Sequence, residues 1–361
     1  MSSEILVDVR NYIAFVTLNR PQALNTLTYG MIKELARLLA VWQKDDQIHA
    51  VVIRGAGEKA FCAGGDVRAI HASFKSGSFD LVTFFADEYR LDHTIHRYAK
   101  PIVALMDGIV MGGGMGIAQG VGFRIATDRT RMAMPETAIG LFPDVGASYF
   151  LSRLKGAMGI YLGTTGTDLK APDILAVGLA DIYLDTHSVI ALDQRLTDIN
   201  WSDDHERDVE MALNTLASEP IGTTPLEPYI DAIDDHFSHE TLAGIVTSLQ
   251  RETRPALKDW ATQTLSGLTK RSPTAMCVAL RQLQRGRKMS LSNCFRMELD
   301  MIHEAFYQGD FIEGVRALIV DKDQQPKWNP PDLASVSNAS IERFFDSPWD
   351  DQEHPLADLK P

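Results

Sequence analysis

Two carboxylates in an apolar stretch are the chain's first chemical feature. Glu136 and Asp144 lie in MAMPETAIGLFPDVGASYF, where most of their neighbours are apolar. Carboxylates seldom enter such surroundings without a partner or a purpose. Burial raises their pKa and suits them to acid–base or nucleophilic work near neutral pH. Each has a structural alternative. Asp144 directly precedes a helical pattern and reads equally as an N-cap; Glu136, just after Pro135, reads equally as part of a surface turn. Glu88 is a third acid, within FDLVTFFADEYRLDHTIHRYAK. Leu81, Phe84, Leu91 and Ile95 form a helical stripe, and Glu88 falls on that stripe. A buried salt bridge with an arginine is its structural alternative.

Two glycine clusters offer the complementary chemistry. In KPIVALMDGIVMGGGMG, a buried-strand pattern runs into Gly112, Gly113, Gly114 and Gly116. FCAGGDV places Gly64 and Gly65 between another strand and another helix. Glycine lets a backbone N–H approach a ligand closely, and N–H groups opening a helix favour negative charge. The amides of Gly65 and Gly113 are therefore candidate donors to an oxyanion. Close packing of helix on sheet explains the same glycines equally well.

Other chemistries are unsupported. There is no GxGxxG and no GxxxxGK[ST], so no nucleotide-phosphate loop is expected, and no GxSxG elbow for a serine hydrolase. Cys62 reads as a small buried apolar residue. His93 and His96 share a helix face with no third ligand in view, so no metal site is expected.

These residues must be positioned by an α/β arrangement. EILVDVRNYIAFVTLN alternates on either side of Arg10-Asn11 and predicts a hairpin. TYGMIKELARLLAVWQKDD places Met31, Leu35, Leu38, Leu39 and Trp42 at helical spacing. HAVVIRGAG and PIVALMDG read as strands separated by helices. After about residue 145 the chain turns mostly helical; Ser272-Pro273 opens one helix, and residues 200–260 read as an exposed helical insertion. The expected organisation is a catalytic core over 1–190, an insertion over 191–265, a helical region over 266–345 and a tail over 346–361.

Composition bounds the function classes. The 361 residues are 45% hydrophobic and 23% charged, an ordinary globular balance. A formal net charge of -13 argues against a nucleic-acid partner or an anionic membrane surface. No apolar run is long enough to span a membrane. Three cysteines without paired spacing, and no recognisable leader, predict a reducing, cytoplasmic location.

As a set, TLNRPQALNTLT, AFCAGGDV, KPIVALMDGIVMGGGMG and MPETAIGLFPDVGASYFL resemble the crotonase (enoyl-CoA hydratase/isomerase) superfamily. The resemblance implies a ββα spiral core binding acyl-CoA thioesters, here with an added C-terminal helical region. It assigns the oxyanion donors to the amides of Gly65 and Gly113. It also implies that Gln22, Ala23, Leu24 and Ala63 contact the CoA ester. Family hydratases carry a glutamate two positions after the glycine triplet, where this chain has Gly116. Glu136 matches the second hydratase glutamate, and Asp144 stands where hydratases have glycine. The pair in PETAIGLFPDVG looks like the 3-hydroxyisobutyryl-CoA hydrolase branch. FFADEYRLDH, carrying Glu88, and GDFIEGVRALIVDKDQQPKW agree with that branch.

The resemblance thus implies hydrolysis of a short β-hydroxyacyl-CoA, 3-hydroxyisobutyryl-CoA of valine breakdown first among them. Glu136 would be nucleophile or general base, Asp144 would position water or the 3-hydroxyl, and Glu88 would orient the site or bind that hydroxyl. No cofactor is expected beyond the CoA of the substrate. Arg20, Lys100, Lys322 and Lys327 are candidate partners for its phosphates. A hydratase or isomerase using Glu136 alone, and a non-catalytic acyl-CoA binder, are the rival readings. The resemblance also makes a homo-oligomer an open expectation.

Overall fold

The computed structural model describes residues 3–220, 222–350 and 352–360. In chain order it begins with β1 (Ile5–Arg10), β2 (Ile13–Leu18), α1 (Tyr29–Trp42), β3 (Ala50–Gly55) and β4 (Ala60–Cys62). There follow α2 (Val67–Lys75), α3 (Leu81–His96), β5 (Ile102–Met106), β6 (Ile109–Met111), α4 (Gly113–Gln119), β7 (Phe123–Thr127) and β8 (Arg131–Ala133). Next are α5 (Ala147–Phe150), α6 (Met158–Thr165), β9 (Leu169–Lys170), α7 (Ala171–Ala176), β10 (Ile182–Leu184), α8 (Thr186–Thr197) and α9 (His205–Asn214). The rest is helical: α10 (Ile230–Phe237), α11 (Leu242–Gln250), α12 (Lys258–Leu268), α13 (Pro273–Gly286), α14 (Leu291–Tyr307), α15 (Phe311–Val315) and α16 (Asn338–Glu342).

The chain forms two compact units whose segments alternate along the sequence. The first comprises Met1–Gly65, Arg90–Met132 and Asp168–Pro225. Its six-stranded sheet has the order β1-β2-β3-β5-β7-β10. The β1–β2 hairpin is antiparallel, with Arg10 opposite Ile13. Its turn is Asn11-Tyr12, one residue later than the alternation predicts, and both residues have positive φ, as a two-residue hairpin turn requires. The remaining pairings are parallel. Every residue of β5 is buried, the signature of a parallel strand covered on both faces. On one face Phe15, Val52, Val103 and Ile125 pack with Leu192 and Leu196 of α8 and Val209 and Leu213 of α9. Helix α1 buries the five predicted residues and Ile32, and Thr28 caps it by accepting from the Met31 N–H.

A second, smaller sheet has the order β4-β6-β8-β9. Strands β4 and β6 run parallel, pairing Ala60 with Ile109 and Cys62 with Val110. The two glycine clusters therefore follow neighbouring parallel strands.

The second unit comprises Asp66–Tyr89, Ala133–Thr167 and Leu226–Pro361. Phe306 of α14 is its aromatic hub, with the rings of Phe74, Phe79, Phe85 and Phe311 around it. Helix α13 starts where Ser272-Pro273 predicts, the Ser272 hydroxyl accepting from the Ala275 N–H. The segment 200–260 is helical as expected but not an exposed appendage: Val209, Ile233, Phe237, Ile245 and Leu249 are all buried. Its polar surface residues mask stripes that each helix buries.

Candidate active site

In the first unit the sequence brings both predicted oxyanion donors onto adjacent loops. Gly113 is the first residue of α4, so its N–H has no acceptor within the helix. Among the described residues, no backbone carbonyl accepts from the N–H of Gly113 or of Gly65. The loops approach closely: a Cβ added to Gly64 would lie 3.3 Å from the Met111 carbonyl oxygen and 3.5 Å from the Gly113 nitrogen. The glycines divide their work. Gly112, with φ 48° and ψ −124°, adopts a backbone conformation open to glycine. Gly114 serves packing, because a Cβ there would run into the carbonyl of Cys62. Gly113 is left as the buried first residue of α4, at the positive end of its dipole.

Residues predicted to contact CoA share this neighbourhood. Gln22 and Ala23 lie in a single 3-10 turn, Pro21–Ala23, and Leu24 follows it in the left-handed region. The Leu24 carbonyl accepts from the Ala63 N–H at 3.0 Å, and the Leu27 N–H donates to the Gly64 carbonyl at 2.8 Å. Asn25 locks the turn. Its fully buried amide donates to the carbonyls of Ala60 and Ala56 while its Oδ1 accepts from the Arg20 N–H. Two of the cations proposed for phosphate binding are structural instead. Lys100 Nζ contacts the carbonyls of Trp42, Asp45 and Ile48 at 2.6–2.7 Å, which uses all three of its donors. Arg20 is held by Thr26 and Glu4. Lys322 and Lys327 are exposed in the second unit.

The three predicted acids all belong to the second unit, and all are buried: Glu88, Glu136 and Asp144 are 4%, 6% and 5% exposed. Both structural alternatives for the central pair fail. Glu136 opens a 3-10 turn from a buried position rather than lying in a surface turn. Asp144 caps no helix with its side chain; Gly146 is the N-cap of α5. Instead the Tyr89 hydroxyl donates to Asp144 Oδ2 at 2.9 Å. Glu88 has no ion pair with an arginine among the described residues, so that alternative also fails.

Burial dominates the electrostatics. It raises the Glu136 carboxyl well above the usual range, and the nearby charge of Asp144 raises it further, while the Arg271 charge opposes the shift. Burial lifts Asp144 to about 6, against the hydrogen bond from Tyr89, which favours the carboxylate. Glu88 moves upward for the same reasons, burial first and then Asp144. Glu136 Oε2 is buried without a hydrogen-bond partner among the described residues. A buried carboxyl oxygen left so is costly.

The family described as Enoyl-CoA hydratase/isomerase matches residues 13–345. The chain belongs to the enoyl-CoA hydratase/isomerase family. It is 42% identical over 353 residues to a Danio rerio protein named 3-hydroxyisobutyryl-CoA hydrolase, mitochondrial, covering 96% of this chain and 90% of that one. An Arabidopsis thaliana protein named probable 3-hydroxyisobutyryl-CoA hydrolase 3 is 38% identical over 363 residues, covering 99% and 95%. Among solved structures, a carnitinyl-CoA dehydratase from Mycobacterium thermoresistibile superposes with a TM-score of 0.87 at 38% identity, covering 96% of this chain and 97% of that one. The mixed α/β core with additional C-terminal helices is thus the fold of this family.

Within this family member, two site residues escaped the sequence reading. Tyr89 is adjacent to Glu88 and looks like one aromatic among many. Glu298 lies on α14, fully buried, and accepts from the N–H groups of Gly146 and Ser148 at 2.7 and 2.8 Å. Its signal was present: it falls on the stripe of Leu291, Cys294, Phe295, Met301 and Ile302, just as Glu88 falls on its own.

Proposed function

We propose that the chain hydrolyses short β-hydroxyacyl-CoA thioesters, 3-hydroxyisobutyryl-CoA first, giving 3-hydroxyisobutyrate and CoA. The observation that carries this reading is the buried Glu136 carboxyl, its Oε2 unpartnered and Asp144 its charged neighbour. The names of the zebrafish and Arabidopsis relatives supply the substrate. Gly116, within α4, stands where the family resemblance implies a hydratase acid, which disfavours water addition to an enoyl-CoA.

Glu136, held protonated by burial, gives its proton to the Asp144 carboxylate and attacks the thioester carbonyl through Oε2; Asp144 later passes that proton to the departing sulfur. The oxyanion that forms is stabilised by the N–H groups of Gly65 and Gly113, each worth about 2.7–4 kcal/mol in the barrier. Collapse breaks the carbon–sulfur bond, leaving an acyl-glutamyl anhydride, and the CoA thiolate takes up a proton. Water then adds to the anhydride, and the product carboxylate and Glu136 are released. Glu136 acting as a general base on water is the alternative route. Asp144 positions the water or the substrate hydroxyl and relays its proton, and Glu88 orients that hydroxyl. Gln22, Ala23, Leu24 and Ala63 hold the CoA portion. The reaction draws on no cofactor.

The same reading assigns the protein to valine breakdown in the cytoplasm and leaves its oligomeric state open. None of the described helices is long and apolar enough to cross a membrane. Fractionation decides between the cytoplasm and the mitochondrial location in the zebrafish relative's name. The function itself is tested with a panel of acyl-CoA esters, following thiol release and enoyl absorbance together. Hydrolysis releases free CoA; a hydratase changes absorbance without thiol; a binding protein does neither.

A further inference from the structure

We propose that Glu298 and Tyr89 are positioning residues for Asp144, one acting through the backbone of its loop and the other on its carboxyl group. The inference rests on the hydrolase reading above. The loop that carries Asp144 is strained. Val145, directly after it, has φ 53°, a left-handed conformation that β-branched residues avoid. Something must hold it, and two helices of the same unit do so. From α14, the Glu298 carboxylate takes both the Gly146 and the Ser148 N–H, and it is fully buried. From α13, Gln282 Nε2 donates to the Pro143 carbonyl and to the Ser148 hydroxyl. Gln282 is itself fully buried. The chain is therefore pinned on both sides of Asp144, and Tyr89 fixes Oδ2 at 2.9 Å.

Capping α5 uses both oxygens of Glu298, Oε2 accepting from Gly146 and Oε1 from Ser148, where an amide side chain offers a single acceptor oxygen. Burial raises the Glu298 carboxyl to about 8, so it is protonated where Asp144, at about 6, titrates. Asp144 faces Glu88 and Tyr89 from α3, Glu136 from the 3-10 turn and Glu298 from α14. Glu298 also faces Cys294 on its own helix. The Tyr89 hydrogen bond makes the Asp144 carboxylate less basic, whereas Glu298 acts through the backbone of the loop. The two residues hold one geometry by different means.

The test is the pH dependence of kcat for thiol release from 3-hydroxyisobutyryl-CoA by wild type, Glu298→Gln, Tyr89→Phe and Asp144→Asn. Glu298→Gln and Tyr89→Phe are each expected to lower kcat about tenfold or more while KM stays within about threefold. The acidic limb moves to higher pH in Tyr89→Phe and stays in place in Glu298→Gln. A purely structural cap leaves kcat of the folded protein at the wild-type value. Folded variants with wild-type kcat, or an unmoved limb in Tyr89→Phe, overturn the inference. If Glu298→Gln does not fold, the direction of the Tyr89→Phe limb decides. An Asp144→Asn protein with full turnover overturns the hydrolase site itself; an inactive Asp144→Asn beside wild-type kcat in both variants overturns the positioning alone.

Discussion

Tyr89 donates its phenolic hydrogen to Oδ2 of Asp144 over 2.9 Å, and both side chains are buried. This bond fixes one carboxyl oxygen of the acid. It also keeps the acid near its ionised form despite burial, with the carboxyl lifted only to about 6. The substitution Asp144→Asn keeps the shape and loses the charge. It is therefore expected to lower thiol release by about 10²- to 10⁴-fold with an unchanged circular dichroism spectrum. Turnover within a few-fold of wild type would remove Asp144 from the mechanism.

The nucleophilic route leaves a chemical trace. An acyl-glutamyl anhydride is captured by hydroxylamine, which converts the Glu136 side chain to a hydroxamate. Inactivation by hydroxylamine is expected only while substrate is turning over, with the added mass on the peptide that contains Glu136. Substrate-independent inactivation, or none, points to Glu136 as a general base.

Gly114 is a packing position, not a catalytic one. A Cβ there meets the Cys62 carbonyl, so β4 and α4 must separate. Gly114→Ala is expected to cost about 1–3 kcal/mol of stability, read as a lower thermal midpoint. An unchanged midpoint would mean that the contact between α4 and β4 is looser than described.

Much of this arrangement is legible in the sequence, for identifiable reasons. Hydrophobic period and glycine punctuation mark β5, β6 and α4, and the stripe of α3 marks Glu88 as buried. The apolar neighbours of Glu136 and Asp144 mark both as buried, although a local pattern could not separate a buried acid from an N-cap. What stays hidden is long-range. Glu298 reaches Gly146 from more than 150 residues along the chain, and nothing local to residues 144–148 points to it. The interleaving of the two units is hidden for the same reason, since the boundary within α3 interrupts no periodicity. Lys100 shows the converse limit: a lysine after a helix looks free, yet three carbonyls occupy it.

Buried acids also set the pH dependence of stability. Glu88, Asp144 and Glu298 have folded-state pKa values raised above those of the unfolded chain, Asp144 to about 6 and Glu298 to about 8. Between the unfolded and folded values the native state binds more protons than the unfolded one, so stability falls as pH rises. Stability is then fully favoured below the unfolded carboxyl range and declines up to about pH 8, where Glu298 titrates. Glu88→Gln removes one such group. It is expected to raise the thermal midpoint more at pH 8 than at pH 5, and an equal shift at both would contradict the raised pKa.

The claim on which the account turns is that the Glu136 carboxyl cleaves a CoA thioester. Single-turnover thiol release from 3-hydroxyisobutyryl-CoA, compared between wild type and Glu136→Gln, measures it directly. The account predicts rapid release of free CoA by wild type and a loss of about 10³-fold or more in the folded variant. Comparable release by both proteins would contradict it.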